Sequence, residues 1–480
     1  MRGEGEPMRI RSDRPSFMQA LHTDEHSGRS PSKQVERAVL RAQDLVDTVS
    51  TSRQERFWSG RQGTAAALIG INKELGAQFY AVPDEAAEDI EAANEALGGN
   101  QVVIDVQTHY VADRDQSTAP NLINMYRAAM PSWWKGLEGL SAYNFAEYLR
   151  CVFIETETAV AVLSSSPGVE EFRQLSNEEL AATRRLLDEL GGRGRLLNHT
   201  VVDPTRAGEL DQMGQWVEEL APVAWKVYTL GEVNTDPSAY RSDSTWRELM
   251  PGKWTKGWML DDDKLGRSFL DQVSELARAG GPRIVCAHKG ISGLIDTGSP
   301  RDIGPAAKAY PDLNFVIYHS GYEITEKEEG AYSEQDADIG TNRLVKTLRQ
   351  SGMGPGGNVF AELGSTWFLA TTRPREAAHV LGKLLLAVGE NNVLWGTDSV
   401  WYGPTQQLID AFRAFQIPVD MQEEFGYPAL TDTIKQNILS NNAARLYGID
   451  VAEARRNADN DDLASIKEAL AYYRQHGSPS

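Results

Sequence analysis

Cysteine is scarce in this sequence. The 480 residues include two cysteines, Cys151 and Cys286, and no Cys-x-x-Cys pair. Two distant thiols without that motif do not make a disulfide framework or a zinc ribbon, and they fit a reduced, cytoplasmic protein. We interpret both as buried core thiols rather than as a reactive pair.

Long apolar segments near the amino terminus are also missing. The longest run there, residues 65–71, is followed at once by Asn72 and Lys73. It is too short to cross a bilayer, which takes about 20 apolar residues in a helix. Residues 52–71 resemble a twin-arginine leader, but the adjacent arginine pair is absent and residues 1–51 precede the segment. We therefore interpret it as retained structure, with export as the alternative.

Basic residues are outnumbered by acidic ones. The chain has 48 Lys and Arg against 68 Asp and Glu, a formal net charge of -20 and a pI of about 4.9. Such a charge argues against nucleic acid or an anionic membrane as a partner. An acidic surface mainly implies solubility, so a small-molecule substrate is the partner to expect.

The chain is longer than one barrel domain requires. At 53.0 kDa it exceeds the roughly 250 residues of a minimal (β/α)8 barrel. We predict a disordered arm at residues 1–34, an amino-terminal helical extension at 35–100, a barrel at 101–449 and a helical tail at 450–480. The extension and the acidic tail favour a homo- or hetero-oligomer.

From residue 102 onward, short apolar runs alternate with helical ones. This pattern indicates a parallel sheet with crossover helices, and we predict an α/β fold of the TIM-like (β/α)8 type. The eight predicted strands end at His109, Ser164, His199, Tyr228, His288, His319, Glu362 and Asp398. Three connections, 110–157, 229–262 and 321–357, are long. They carry Trp133, Trp134, Trp246, Trp254, Trp258, Tyr322 and Tyr332, which form either a lid or packing over the barrel top.

Histidines are concentrated at the predicted strand ends. Four of the eight in the chain, His109, His199, His288 and His319, occupy such positions. Because alternate strand residues share a face, Ile284 and Cys286 should point inward with His288, and Phe315 and Ile317 with His319. The same count predicts a set converging on the barrel mouth: Gln107, His109, His199, Lys226, His288, His319, Glu362 and Asp398.

This set has the composition of a metal site. Neutral imidazoles and carboxylates bind Zn²⁺ or Fe²⁺, and clustered carboxylates repel one another without a cation. Asp398 is also a candidate general base. Lys226 is a bridging ligand after carboxylation, a cation for an anionic substrate, or a structural ammonium. Lys226 or Lys289 would meet the anionic end of a substrate whose body is apolar.

An ordered series of motifs resembles a known superfamily. DVQTHYV, LLNHTVVDP, WKVYTLG, VCAHKG, FVIYHSGY, AELG, LWGTDSVWYG and NNAARLYGI are similar to the amidohydrolase superfamily, in its amidohydrolase-related (ACMSD-like) branch. The resemblance implies a distorted (β/α)8 barrel with His109, His288, His319 and Asp398 as first-choice metal ligands. That branch generally opens with His-x-His, whereas Gln107 stands first here. The Gln-x-His form is similar to a subgroup related to non-haem dinuclear-iron monooxygenases that act on α-aminoisobutyrate or on platensimycin-type intermediates.

Two enzymatic hypotheses follow, and we favour the first. In it, two Fe²⁺ ions activate O₂ to hydroxylate a C–H bond of a small organic acid or natural-product intermediate. Its metal ligands are His109, His199, His288, His319, Glu362 and Asp398, its catalytic residues are Asp398, Lys226 and His199, and Gln107, Lys226 and Lys289 are supporting residues or possible ligands.

The second hypothesis is a mononuclear Zn²⁺-dependent amidohydrolase or non-oxidative decarboxylase with Asp398 as base. A third, non-enzymatic hypothesis is a partner subunit with a vestigial site. The intact histidine series argues against it.

Overall fold

A computed structural model describes residues 60–112, 143–167, 173–233, 254–325 and 327–468. The predicted arm, residues 35–59 of the predicted extension, Trp133, Trp134, Trp246 and the end of the predicted tail lie outside the described residues. No helix in the described ranges is long and apolar enough to cross a membrane.

Eight parallel strands form one sheet in chain order. They are β1 Val103–Thr108, β2 Thr158–Leu163, β3 Leu196–Val201, β4 Ala224–Val227, β5 Ile284–His288, β6 Asn314–Tyr318, β7 Val359–Glu362 and β8 Val393–Leu394. The segment after β8 returns to β1, where Val106 N donates to Trp395 O over 3.1 Å and Asp398 N to Gln107 O over 2.8 Å. The sheet is therefore a nearly closed barrel, and the predicted TIM-like (β/α)8 fold is confirmed.

Helices cover the barrel and extend it at both ends. They are α1 Arg61–Leu75, α2 Ile90–Leu97, α3 Phe145–Leu149, α4 Asn177–Glu189, α5 Glu209–Leu220, α6 Leu265–Arg278, α7 Ile303–Ala309, α8 Asn342–Gln350, α9 Thr366–Ala370, α10 Pro374–Ala387, α11 Gln406–Ala414, α12 Val419–Phe425, α13 Asp432–Gln436, α14 Asn442–Tyr447 and α15 Val451–Asn460. Short 3₁₀ turns lie at Asp84–Ala87, Asp296–Gly298, Pro300–Asp302 and His319–Gly321, and π turns at Arg150–Ile154 and Asn437–Asn441. A two-residue antiparallel ladder joins Glu232–Val233 to Trp254–Thr255.

Local sequence explains where two of these helices begin. At the start of α4, Ser176 and Glu179 form a reciprocal capping box that satisfies two free backbone N–H groups. Helix α10 begins with Pro374. Proline is favourable at the first helical position, because the N–H group that it lacks would have no partner within the helix there.

The barrel interior is filled by one buried cluster. It takes side chains from β1, β2 and β4 to β8, including Ile104, Val106, Cys286, Val316 and Leu394. Tyr318 of β6 reaches across to β1, where its hydroxyl donates to Val106 O over 2.7 Å. The opposite faces of the strands pack against the helices in a second cluster. Burial on both faces accounts for the nearly continuous apolar runs of the strands.

The described part of the amino-terminal extension packs on this chain's own barrel. Arg61 of α1 pairs with Glu157, which directly precedes β2, and with Asp410 of α11 at 3.3 Å. Glu157 also forms a salt bridge with Arg413, whose Nη1 lies 2.5 Å from Glu157 Oε2. This buried charge network therefore holds α1 near the amino-terminal ends of the strands. Within the extension, the 3₁₀ turn Asp84–Ala87 is followed by α2, and Asp89 caps the start of that helix by accepting from Glu91 N.

Two predicted strand ends are also corrected. Strand β3 continues to Val201, so His199 lies within it, and β8 ends at Leu394, four residues before Asp398. In β6 the predicted inward face is reversed. Phe315 and Ile317 pack in the helical layer, while Val316 and Tyr318 face the interior. His319 departs from this alternation because its φ is 64°, in the left-handed region that follows the strand.

The long connections contain packed aromatic residues. Trp258 stacks edge to face on Phe269 of α6, and the hydroxyl of Tyr322 donates to Glu376 of α10. Both aromatic side chains are buried. Of the two expected roles, a lid or packing over the barrel top, Trp258 and Tyr322 therefore have the second.

Candidate active site

His109 and Asp398 meet at the closure of the barrel. His109 follows the last residue of β1, and its Nε2 lies 3.2 Å from Asp398 Oδ1. Asp398 has a φ of 59°, so the chain turns there rather than continuing β8. His109 Nδ1 is buried and has no hydrogen-bond partner in the described part of the chain.

His288 and His319 form the second close pair. His288 is the last residue of β5, and its Nδ1 lies 3.1 Å from His319 Nε2. His319 Nδ1 lies 2.7 Å from Gly364 O, an acceptor only, so Nδ1 carries the proton. Burial lowers the pKa of His319 to about 4, which keeps the ring neutral. Its Nε2 is therefore unprotonated and faces His288 Nδ1, and an N–H donated to a backbone carbonyl is the usual support of a metal-binding histidine.

Asp398 is held as a carboxylate by hydrogen bonds from Gln107, Ser365 and His109. Gln107 Nε2 donates to Oδ1 over 2.9 Å, and Ser365 Oγ donates to Oδ2 over 2.5 Å. Burial raises the pKa of Asp398, but hydrogen bonding and charge from His109 and the bond from Ser365 bring it below its ordinary value. Asp398 is consequently ionised at neutral pH, as a metal ligand or a base requires.

Glu362 is completely buried at the end of β7. Its Oε2 accepts from His319 N over 3.1 Å and its Oε1 from Gly364 N over 2.5 Å. Burial raises the pKa of this carboxyl to about 8. A methyl group on Gly396 or Gly364 would overlap Glu362 Oε1, so the two glycines make the space that this side chain fills.

His199 and Lys226 lie within the barrel rather than at its rim. His199 Nε2 is 3.7 Å from Cys286 Sγ, and its Nδ1 has no described partner. Burial and the charge of Lys226 hold the pKa of His199 well below its ordinary value. Lys226 Nζ sits 3.3 Å from the centroid of the Tyr318 ring and makes no hydrogen bond to the described residues. Burial lowers the pKa of Lys226 to about 7.

Lys289 is placed away from the other predicted site residues. Its Nζ donates to Asp302 Oδ2 over 2.7 Å and to Thr297 O over 3.1 Å, and both charged side chains are fully buried. The ammonium is thus committed to an internal ion pair. The substrate contact expected of Lys289 stays a prediction.

The donor atoms fit a divalent cation in their chemistry, although they are not gathered into one cluster. Among the described residues, no three His, Cys, Asp or Glu side chains are arranged to hold an ion. The two pairs have separations of 3.2 and 3.1 Å. Two ligands of a tetrahedral ion at about 2.0–2.1 Å would be about 3.3 Å apart, so each pair has the spacing of two ligands. The two pairs are linked through the loop after β7, because His319 Nδ1 donates to Gly364 O and the next residue, Ser365, donates to Asp398 Oδ2.

Sequence reasoning missed Ser365 and Tyr402. Ser365 contacts Asp398, and the Tyr402 hydroxyl lies 2.6 Å from Ser365 Oγ. The signal that could have found them is their position in the sequence, next to motifs that carry predicted site residues. Ser365 follows the motif that contains Glu362, and Tyr402 comes four residues after Asp398 in LWGTDSVWYG.

The architecture and the imidazole and carboxylate groups at its strand ends define a barrel of the kind that enzymes use. The chain belongs to the amidohydrolase family, whose pattern matches residues 104–449. This confirms the predicted superfamily and supports an enzyme. A comparison with curated proteins gave no match.

Solved structures with a similar fold include two decarboxylases. A 5-carboxyvanillate decarboxylase from Novosphingobium aromaticivorans, complexed with manganese and a nitrobenzoic acid, is 14% identical, with a TM-score of 0.43 over 73% of this chain and 97% of that one. A 2,6-dihydroxybenzoate decarboxylase from Rhizobium is 13% identical, with a TM-score of 0.42 over 73% and 99%. An uncharacterised TIM-barrel protein from Bordetella bronchiseptica is 15% identical, with a TM-score of 0.40 over 74% and 99%.

Proposed function

We propose that this protein is a metal-dependent enzyme that acts on a small molecule carrying a carbonyl or carboxylate group, without oxidising it. The reaction class is hydrolysis or loss of CO₂, the second of the two sequence hypotheses. The observation that carries it is the pair of close contacts, His109 with Asp398 and His288 with His319, at the strand ends of an amidohydrolase barrel. A divalent cation there would polarise the substrate and lower the pKa of a bound water.

The residues of this chain supply proton-transfer groups. Asp398 is ionised and its orientation is fixed by Gln107 and Ser365, so this carboxylate is a suitable proton acceptor. His109, His288, His319 and Asp398 would hold the ion, Glu362 accepts a hydrogen bond from His319 N, and His199 is buried within the barrel. With a pKa of about 7, Lys226 can exchange a proton near neutral pH or present a charge to an anionic substrate.

A dinuclear-iron monooxygenase is the second candidate, and Gln107 is the observation that favours it. Its amide is bonded to Asp398 where the branch generally has an imidazole, so a one-metal site lacks a customary nitrogen ligand. His109 Nδ1 and His199 Nδ1 have no hydrogen-bond partner among the described residues. Together with the carboxyl group of Glu362, they give the site more possible metal ligands than one ion needs. Two Fe²⁺ ions with O₂ as co-substrate would use them.

Metal analysis of protein purified without added metal separates these candidates. The proposal expects about one divalent ion per chain, no O₂ uptake, and activity on esters, amides or carboxylic acids. About two irons per chain with O₂ consumption would support the monooxygenase instead.

A histidine control makes the same experiment specific for the site. His288→Ala is expected to lose the metal, whereas His379→Ala, which removes an imidazole from α10, should retain it. Equal metal content in wild type and both variants would contradict the placement of the ion between the two pairs.

A further inference from the structure

A chain of hydroxyl groups lies behind Asp398, on the side away from His109. Ser365 Oγ contacts Asp398 Oδ2 at 2.5 Å, and Tyr402 Oη contacts Ser365 Oγ at 2.6 Å. The Tyr402 ring stacks on Phe368 of α9, with centroids 3.8 Å apart and planes inclined by 15°. The chain therefore connects the loop after β7 to the loop that carries Asp398.

The direction of these hydrogen bonds follows from the available protons. A carboxylate only accepts, so Ser365 must use its single proton on Asp398 Oδ2. Ser365 Oγ then has lone pairs but no second proton, so Tyr402 donates to it. Burial raises the pKa of Tyr402, which keeps the phenol protonated and able to donate. The series is one-way, from Tyr402 through Ser365 to Asp398.

The backbone of Ser365 is another sign that its side chain is needed. Its φ is 54° and its ψ is -35°, in a region where glycine is far more favourable than serine. Residues held in such conformations cluster at functional sites, and the serine hydroxyl is the group that glycine would not supply. Asp398, its hydrogen-bond partner, also has a positive φ of 59°. Two residues with positive φ values are thus joined by a direct hydrogen bond in the candidate site.

The remaining contacts show what the hydroxyl chain controls. Asp398 Oδ1 is shared by Gln107 Nε2 and His109 Nε2, at 2.9 and 3.2 Å. Rotation about the Cβ–Cγ bond of Asp398 would break both contacts. Ser365 holds the other oxygen and so opposes that rotation.

We propose that Ser365, supported by Tyr402, is a positioning residue that orients the Asp398 carboxylate toward His109 and the metal. The inference deepens the proposed function and rests on it. Ser365 acts through Asp398 and touches neither metal nor substrate. Hydrogen-bonding partners of metal-binding carboxylates typically contribute about 10- to 100-fold in metal affinity.

The test uses two variants of the full-length protein and Co²⁺ alone as the probe. Ser365→Gly removes the hydroxyl and also relieves the positive φ, so the fold should be retained. Tyr402→Phe removes only the outer hydroxyl and keeps the ring on Phe368. The matched control is Tyr427→Phe, which deletes a hydroxyl that contacts His379 outside the site. Co²⁺ affinity is measured by chelator competition, and the visible absorption of bound Co²⁺ reports its ligand geometry.

The expected result is graded along the chain. Ser365→Gly should bind Co²⁺ about 10- to 100-fold more weakly and change the absorption spectrum. Tyr402→Phe should show a smaller loss of affinity, and Tyr427→Phe should match the wild type. Wild-type affinity and spectrum in Ser365→Gly, with loss of Co²⁺ in Asp398→Asn, would overturn the positioning role alone. A wild-type protein that binds no Co²⁺ would overturn the proposed function and this inference together.

Discussion

Replacing Gly396 by alanine tests whether Glu362 is held in one position. Gly396 does not have a positive φ, so alanine introduces no backbone strain there. A Cβ at this position would overlap Glu362 Oε1 and lie 3.2 Å from the Cβ of Gln107. Glu362 is fully buried, so its carboxyl group cannot move out into solvent.

The size of the effect follows from what the carboxyl group would leave behind. His319 N and Gly364 N both donate to Glu362. Each buried N–H left without a partner costs about 1–3 kcal/mol, and overpacking in a filled core costs about 1–3 kcal/mol more. These costs add up to about 3–9 kcal/mol, and because single substitutions rarely exceed about 5 kcal/mol we expect the free energy of unfolding to fall by about 3 to 5 kcal/mol. Because His319 N loses its acceptor, metal affinity should fall as well.

The assay compares thermal unfolding and metal content with those of a matched alanine variant. Gly354→Ala is suitable because that position is exposed, has no positive φ, and has no atom within 4 Å of a new Cβ. It should unfold like the wild type. If Gly396→Ala unfolds at the same temperature as Gly354→Ala and retains its metal, Glu362 is not confined as described.

Three further outcomes are expected. His288→Ala and Asp398→Asn should each lose metal and activity while retaining the wild-type circular dichroism spectrum, and unchanged metal content in both would place the ion elsewhere. Lys289→Met should lower the free energy of unfolding by about 3–5 kcal/mol in a denaturant titration, because it strands the buried charge of Asp302, without changing metal content. Burial lowers the pKa of His379 to about 4 from 6.5, so the folded state binds fewer protons in that window, and up to about 3 kcal/mol of stability present above pH 6.5 is lost as the pH falls to 4. His379→Gln should flatten that pH dependence, and an unchanged slope would show that another group titrates.

The inward face was predicted correctly in β4 and β5, two strands whose polar residue lies within the regular strand. Ile284 and Cys286 face the barrel interior, and His288 of the same strand contacts His319. Lys226 likewise faces the interior, above the Tyr318 ring. In both strands the two-residue period persists to the functional residue, so counting along the chain is sufficient.

Prediction was weaker where the functional residue follows the strand. His319 was expected to face inward with Phe315 and Ile317, yet those two residues face the helices. His319 still contacts His288, because its left-handed φ redirects the chain after Tyr318. The sequence therefore predicted correctly that His319 lies near His288, although the inward face predicted for β6 was wrong.

Lys289 shows a different limit of sequence reasoning. It directly follows His288, and a lysine beside a candidate ligand suggests a substrate contact. Its actual partner, Asp302, lies on a separate 3₁₀ turn that only the packed barrel brings near. A pairing between distant segments leaves no periodic trace in either of them.

The sequence by itself determined the barrel and the residue types that its strand ends carry. It could do so because strands buried on both faces require continuous apolar runs, and helices require apolar stripes, which are local patterns. Only the tertiary structure decided which donor atoms meet. Ser365, His319 and Asp398 all have positive φ values outside regular strands, where no two-residue period applies, and their hydrogen bonds join segments that are far apart in the chain.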